Sequence, residues 1–529
     1  MLQRTLFSLF ILLSINILAQ TEQPLRVELQ MDDAYGNYHI TTADTNGVLI
    51  FYEKDEPSKD GKRNWSFTRY NTQFQDVSNK TIAIETRFDE VLDYYDKAQK
   101  ASYVLFYKQG KNFDYKLAKY NYANDELTVL SGVYPLRFDV NHFVAMNDEV
   151  FLGGNTFPST GRTCLKNLFI ISLCGIPACF GASHMSYDPV LIRINMASGK
   201  SKIENLNFRK DAKVVGLSPN QSNEQVDAGI LNRISKRDYF LYVRNLNSDD
   251  KSEKELFLDP KSDKVLMNAK GTAMSSNEKL FFGTYTLGYD SKRFFEKLGV
   301  TQGGGATENY SANGFYISKF VNSRQEFIKY YPFSKFNSLF PESDSRKEKN
   351  TGFNMIIHDV IQKDSDYIMI GDCYYPIYRT ETYYNPGTGR WETRRVFVGW
   401  AFSNALVAAF DQDGRMLWNH VFEIWSPVSM DLSPKVKIMS NSGSEDIVMA
   451  YSDGKFIKSK VIQGDQIIEG QEKIPIETDY KSDRVVDYSG DIQYWYNNYF
   501  IAYGYQRIKN TKDSKKRRQV FYFNKIAYN

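Results

Sequence analysis

The strongest constraint in this sequence is a repeat. A short apolar strand, often followed by Gly or an aromatic, precedes a variable gap. A hairpin then follows, with Asp, Asn, Ser or Gly at its turn. In the clearest copies, residues 149–154 lead to 190–195 and a turn at Ser198-Gly199, and residues 279–283 lead to 314–320 and a turn at Asn322-Ser323. Residues 367–371 lead to 405–410 and a turn at Asp413-Gly414, and residues 446–450 lead to 456–461 and a turn near Gly464-Asp465. Weaker copies begin at 48–52, 103–107, 239–243 and 499–503, and most copies have one more apolar strand before them, such as 140–146 or 353–361. Alternating apolar and polar residues around short Gly/Asx turns mark paired antiparallel strands, so each copy reads as four strands.

The copies number eight, with seven as the alternative count, and their spacing of roughly 40 to 90 residues puts the excess into loops. Four-stranded units repeated this often predict an all-β fold, a β-propeller of antiparallel blades. Two stacked β domains are the competing architecture. The last copy ends at Asn529 without room for a fourth strand, and the alternating segment Leu25, Val27, Leu29 near the N-terminus is expected to supply it. The 37 Tyr and 36 Phe suit strands, whose pleated faces pack large flat side chains.

The hairpin at residues 405–422, with Asp411, Asp413-Gly414 and Trp418 in order, resembles the quinone-enzyme type of propeller repeat. That resemblance implies that Trp418 docks between blades, in a family holding both eight-bladed quinone dehydrogenases and non-enzymatic scaffolds of outer-membrane assembly. The Trp is absent from the other copies. Taken whole, with Ile17-Leu18-Ala19-Gln20 and the Tyr-rich strands, the chain is similar to large secreted proteins of Bacteroidetes.

Arg4 precedes an apolar run over residues 6–18 that ends at Ala19-Gln20, the pattern of a signal peptide covering 1–20. Export is therefore expected, to the periplasm, the outer membrane or the medium, with residues 21–529 as a single propeller domain and no membrane span after cleavage. A formal net charge of +3 from 66 basic and 63 acidic residues argues against nucleic acid as a partner. Of the four cysteines, Cys174 and Cys179 form a candidate disulfide, although spacing alone does not fix connectivity.

Catalytic patterns are scarce. The five histidines show no zinc-binding spacing. His358-Asp359 would point to opposite faces of a strand. Gly303-Gly304-Gly305 reads as a loop tip, Asp411 to Gly414 as a turn rather than a calcium loop, and Lys515 to Arg518 as a solvated loop. Asp32-Asp33, or Asp93 with Asp96, are available as carboxylate pairs for glycoside cleavage, but nothing singles them out. The expectation is no cofactor, no metal and no catalytic residue.

Two insertions carry the functional expectation. Residues 157–187 contain the most apolar stretch after the leader and suggest a buried excursion or peripheral membrane contact. Residues 372–404 hold Tyr374, Tyr375, Tyr378, Arg379, Tyr383, Tyr384, Trp391, Arg394 and Trp400, with Arg390 and Arg395 beside them, and Asn385-Pro386-Gly387 marks the tight tip of a long projecting hairpin. Tyr, Trp and Arg dominate interface hot spots. The resulting expectation is a non-catalytic binding or scaffold propeller of the bacterial cell envelope, recognising a protein or a glycan. An envelope hydrolase acting on glycans or peptides is the alternative, and an oxidoreductase needing quinone or metal ranks third.

Overall fold

The computed structural model describes residues 22–31, 37–54, 60–108, 110–156, 188–204, 206, 208, 212–220, 224–233, 239–246, 255–275, 277–287, 312–336, 338–339, 353–358, 360–363, 365–387, 389–424, 428–429, 432–440, 445–510 and 517–528. The expected insertion at 157–187, the candidate pair Cys174 and Cys179, Gly303 to Gly305 and Asp32-Asp33 lie outside them.

Among the described residues the strands form eight antiparallel sheets, six of four strands and two of five; seven run through consecutive segments of the chain, and the eighth joins Glu22–Gln30 to the last three strands. Serial four-stranded meanders make this a β-propeller, as the repeat predicts, with eight sheets matching the eight copies. By its contacts the chain divides into two compact units. Met1–Gly36, Tyr70–Gln75 and Lys435–Asn529 form one, and Asn37–Arg69 with Asp76–Pro434 form the other.

Within each sheet, burial is graded. Ala101–Lys108, a second strand, is buried at every residue but the last, whereas Glu126–Tyr134, the fourth strand of the same sheet, alternates between exposed and half-buried. A strand covered on both faces must be apolar throughout, which is why the second strands stand out in the sequence. The period of two sends neighbouring residues to opposite packing layers. Val104 and Phe106 pack with Phe51, Trp65 and Phe67 of the preceding sheet, whereas Tyr103 and Leu105 pack with Val150, Leu152 and Ile192 of the next. Phe151 and Leu191, the other parity, join Val214, Leu217 and Ala228.

The copy assigned to 239–243 is out of phase. Tyr239–Asn245 is the third strand of its sheet, and Gln225–Arg233 is the second. Gly229, Asn232 and Arg233 break the apolar run there, so the more apolar next strand stands out. Residues 353–361 likewise split into Asn354–Ile357 and Ile361–Lys363, both paired with Asp366–Asn385.

In the first unit, Glu22–Gln30 pairs antiparallel with Arg517–Ala527, Val27 lying opposite Phe523, and so completes the last sheet with a strand from the other end of the chain. An ionic cluster fastens the pair. Arg26 donates from Nη2 to Glu28 (2.7 Å) and from Nη1 to Asn524 (2.9 Å), and it lies 4.7 Å over the Tyr522 ring. Arg518 donates from Nε to Glu28 (2.8 Å) and from Nη1 to Asp483 (3.1 Å), whose carboxylate also accepts from Asn510 (2.8 Å). The side chains of Glu28 and Arg518 are each 8% exposed and that of Asp483 is 0% exposed. Arg518 thus lies in a strand with its side chain largely covered, which corrects its placement in a solvated loop. Burial pushes the Asp483 carboxyl up, but hydrogen bonds from Arg518 and Asn510 outweigh it and hold the acid below its ordinary range.

This covered ionic cluster carries a prediction. Arg518→Ala leaves Glu28 and Asp483 without their shared cation and lowers the stability of the first unit by about 3–5 kcal/mol in urea unfolding at neutral pH. In the second unit, Asp93 accepts from Thr41 (2.7 Å).

Candidate functional site

The residues at 372–404 form a projecting hairpin, as the tight tip predicts. Asp366–Asn385 and Arg390–Phe410 are continuous strands of 20 and 21 residues, paired along their length. The blade's second and third strands simply run on past the sheet as a two-stranded hairpin. Thr and Tyr at alternate positions sustain the extended backbone, and the tip closes through Asn385. Its side-chain oxygen accepts from the Gly387 N–H (2.9 Å) and its carbonyl from the Gly389 N–H (2.9 Å), with Gly389 at φ +66°.

The base is locked. Tyr374 is buried and meets Trp400 edge-on at 5.4 Å, Phe397 meets Trp400 at 5.0 Å, and Tyr375 meets Phe353 at 5.3 Å. The backbone of Trp400 exchanges two hydrogen bonds with Ser429, at 2.7 and 2.9 Å. That approach requires Gly399. Its φ is +148°, and a Cβ there would lie 2.5 Å from Val428 and 2.8 Å from the Ser429 carbonyl oxygen.

Beyond the Tyr378–Phe397 pair the two faces differ in chemistry. Cross-strand partners share a face, which groups Tyr384 with Trp391 and Thr380 with Arg395, and sets Tyr383 with Glu392 and Glu381 with Arg394 on the other side. The aromatic face carries Tyr384 against Trp391 (5.5 Å, 65° between planes) and the Arg395 guanidinium 4.6 Å over the Tyr378 ring. Trp391 is 70% exposed and Tyr384 51%. On the polar face Glu381 accepts from Arg379 (2.6 Å) and Arg394 (3.0 Å), and these hydrogen bonds, Arg394's foremost, hold its carboxyl below the ordinary range. Tyr383 donates to Glu392 (2.9 Å), which keeps its phenol protonated to higher pH, and Arg394 lies 5.3 Å over the Tyr383 ring.

The nine aromatic and basic residues singled out by sequence therefore divide. Tyr374, Tyr375 and Trp400 belong to the base, Tyr378 closes it, and Arg379, Tyr383, Tyr384, Trp391 and Arg394 are displayed beyond it. Phe397 escaped the sequence reading, although it falls within the same alternation.

The remaining candidates fall elsewhere. Asp93 and Asp96 are three residues apart on Glu90–Asp96 and face opposite sides; Asp96 accepts from the N–H groups of Ala98 (3.0 Å) and Asn147 (3.1 Å) and so shapes a turn. Asp411 to Gly414 is a hairpin turn, with the Gly414 N–H on the Asp411 carbonyl (2.9 Å) and the Arg415 N–H on its carboxylate (2.7 Å). Trp418 is half-buried on its own strand, 5.6 Å from the His420 ring. His358 lies 3.1 Å from the fully buried Asp372, a cross-strand neighbour that sequence order hides. Cys373 is buried and unbridged. Among the described residues no three His, Cys, Asp or Glu side chains converge on a metal position, and no helix is long and apolar enough to cross a membrane.

No protein-family model matches the chain, and no curated protein does. Among solved structures, the β-propeller domain of the Trilobed protease from Pyrococcus furiosus is 9% identical with a TM-score of 0.34, covering 85% of this chain and 99% of that one. The periplasmic gluconolactonase PpgL of Pseudomonas aeruginosa is 8% identical with a TM-score of 0.35, covering 84% and 97%. The WD40 domain of SCAP from fission yeast is 8% identical with a TM-score of 0.39, covering 96% and 98%. The fold class rests on the strand order and pairing described above.

The locked base yields a prediction. Gly399→Ala forces its Cβ into Val428 and Ser429 and lowers stability by about 1–3 kcal/mol, read as a lower unfolding midpoint, whereas Gly470→Ala, with open space around it, leaves the midpoint unchanged.

Proposed function

We propose that the protein is a non-catalytic binding or scaffold module of the bacterial cell envelope that docks a protein partner on the projecting hairpin. The observation that carries this reading is the displayed aromatic face. Trp391 and Tyr384 stand exposed on a two-stranded arm whose base is fixed by Trp400, Gly399 and Ser429. A rigid stem lowers the entropy lost on docking. Exposed Trp and Tyr with Arg alongside combine large contact area with directed donors, the composition of hot spots. The edge-to-face setting of Tyr384 and Trp391 presents no single flat platform for a sugar ring, which favours a protein surface over a glycan.

The leader-like N-terminus supports export, to the periplasm, the outer membrane or the medium. The near balance of basic and acidic side chains supports a partner other than nucleic acid.

Affinity capture from envelope extract, with the wild type and the Tyr384→Ala/Trp391→Ala variant as bait, tests the reading. Recovery of a defined partner is expected to fall at least tenfold in the variant, with the unfolding midpoint unchanged because both side chains are exposed. Equal recovery by both baits would remove the hairpin from the binding surface.

A further inference from the structure

A second feature, independent of the hairpin, lies in the second unit between the sheet of residues 212–258 and its successor, 264–332. A cavity of about 310 Å³ opens there, lined by Asp227, Asn245, Asn277, Lys279, Phe320 and Asn322 among others. This volume sits at the lower end of small-molecule sites, about 300–1,000 Å³.

Register explains how the cavity is built. Asp227 and Asn245 are directly opposed on one sheet, and Lys279 and Phe320 are directly opposed on the next. Two cross-strand pairs thus face each other across the gap. Lys279 Nζ donates to both Asp227 oxygens, at 3.2 and 3.0 Å, and the Asp227 side chain is only 6% exposed. Burial raises the Asp227 carboxyl above its usual range against the pull of Lys279. A charge pair held this deep is a poor stabilising device, since an apolar pair of similar volume would serve as well or better.

The pair cancels its own charge, so the cavity does not select anions or cations. The carboxamides of Asn245, Asn277 and Asn322 supply both donors and acceptors. Donors and acceptors around an uncharged space match a neutral molecule bearing several hydroxyls. We infer that this cavity binds a neutral monosaccharide, its hydroxyls on Asp227 and the asparagine amides.

The test is titration of the full mature chain with D-glucose, D-galactose, D-mannose and N-acetyl-D-glucosamine, by calorimetry and saturation-transfer NMR. Inorganic phosphate and glycine serve as charged probes. At least one sugar is expected to bind saturably, and both charged probes to fail. Asp227→Asn is expected to weaken binding at least tenfold. Asn277→Trp, which fills the exposed mouth without touching the buried pair, should abolish it while the unfolding midpoint stays put. Saturable binding by none of the sugars, tighter binding of phosphate or glycine, or affinity unchanged in both variants would overturn the assignment. None of these outcomes bears on the hairpin.

Discussion

The pairing of Glu22–Gln30 with Arg517–Ala527 is the interaction on which the architecture most depends. A meander leaves its last sheet one strand short when the chain runs out, and an unpaired strand edge invites aggregation. Here the missing strand comes from the opposite end of the sequence, so the contact separates residues by nearly the whole chain length. Bringing such distant segments together costs loop-closure entropy, which grows only slowly with length. The contacts of Glu28 with Arg518 and of Arg26 with Asn524 and Tyr522 cross between the two strands and favour this register, whereas Arg26–Glu28 lies within one strand. A one-residue slip would turn Arg26 and Glu28 to the other face. Nearby, Lys525 lies 3.9 Å over the Tyr499 ring and donates to the Thr72 carbonyl (3.1 Å), while Phe74 stacks on Trp495 at 5.7 Å, so the Tyr70–Gln75 segment is seated on the same sheet.

Elsewhere the fold depends on aromatic and branched side chains shared between consecutive sheets. Each inner strand serves two layers through alternate residues, as Tyr103 and Val104 illustrate. That division leaves the inner strands little freedom for polar function away from their ends, where Asp227 and Lys279 sit. Chemistry is consequently pushed to strand extensions, turns and the clefts where facing pairs fail to meet.

Much of this was legible in the sequence. Inner strands are apolar at both parities, turn residues such as Asn322-Ser323 and Gly414 take the positive φ that a tight hairpin needs, and the Leu25 to Leu29 alternation identified the closing strand. The phase error at 239–243 arose where Gly229 and Asn232 thinned the apolar signal of the true second strand. The hairpin was legible as an exposed arm because Asn385-Pro386-Gly387 marks its tip, but its division into a locked base and a displayed end was not. That division depends on the Trp400–Ser429 bridge, and Ser429 lies beyond the next strand. Contacts such as His358 with Asp372 and Lys279 with Asp227 are set by which strands become neighbours, so neither carries a local pattern.

Labour is divided between the paired strands that complete the last sheet in the first unit and the arm that extends one sheet of the second. Hydrogen exchange of the free protein, followed peptide by peptide, separates the two. Amides of Glu22–Gln30 and Arg517–Ala527 are expected to exchange together and as slowly as those of Ala101–Lys108, while residues 379–395 exchange much faster. Rapid exchange of Glu22–Gln30 against a protected Arg517–Ala527, or an arm as protected as the framework strands, would contradict the account.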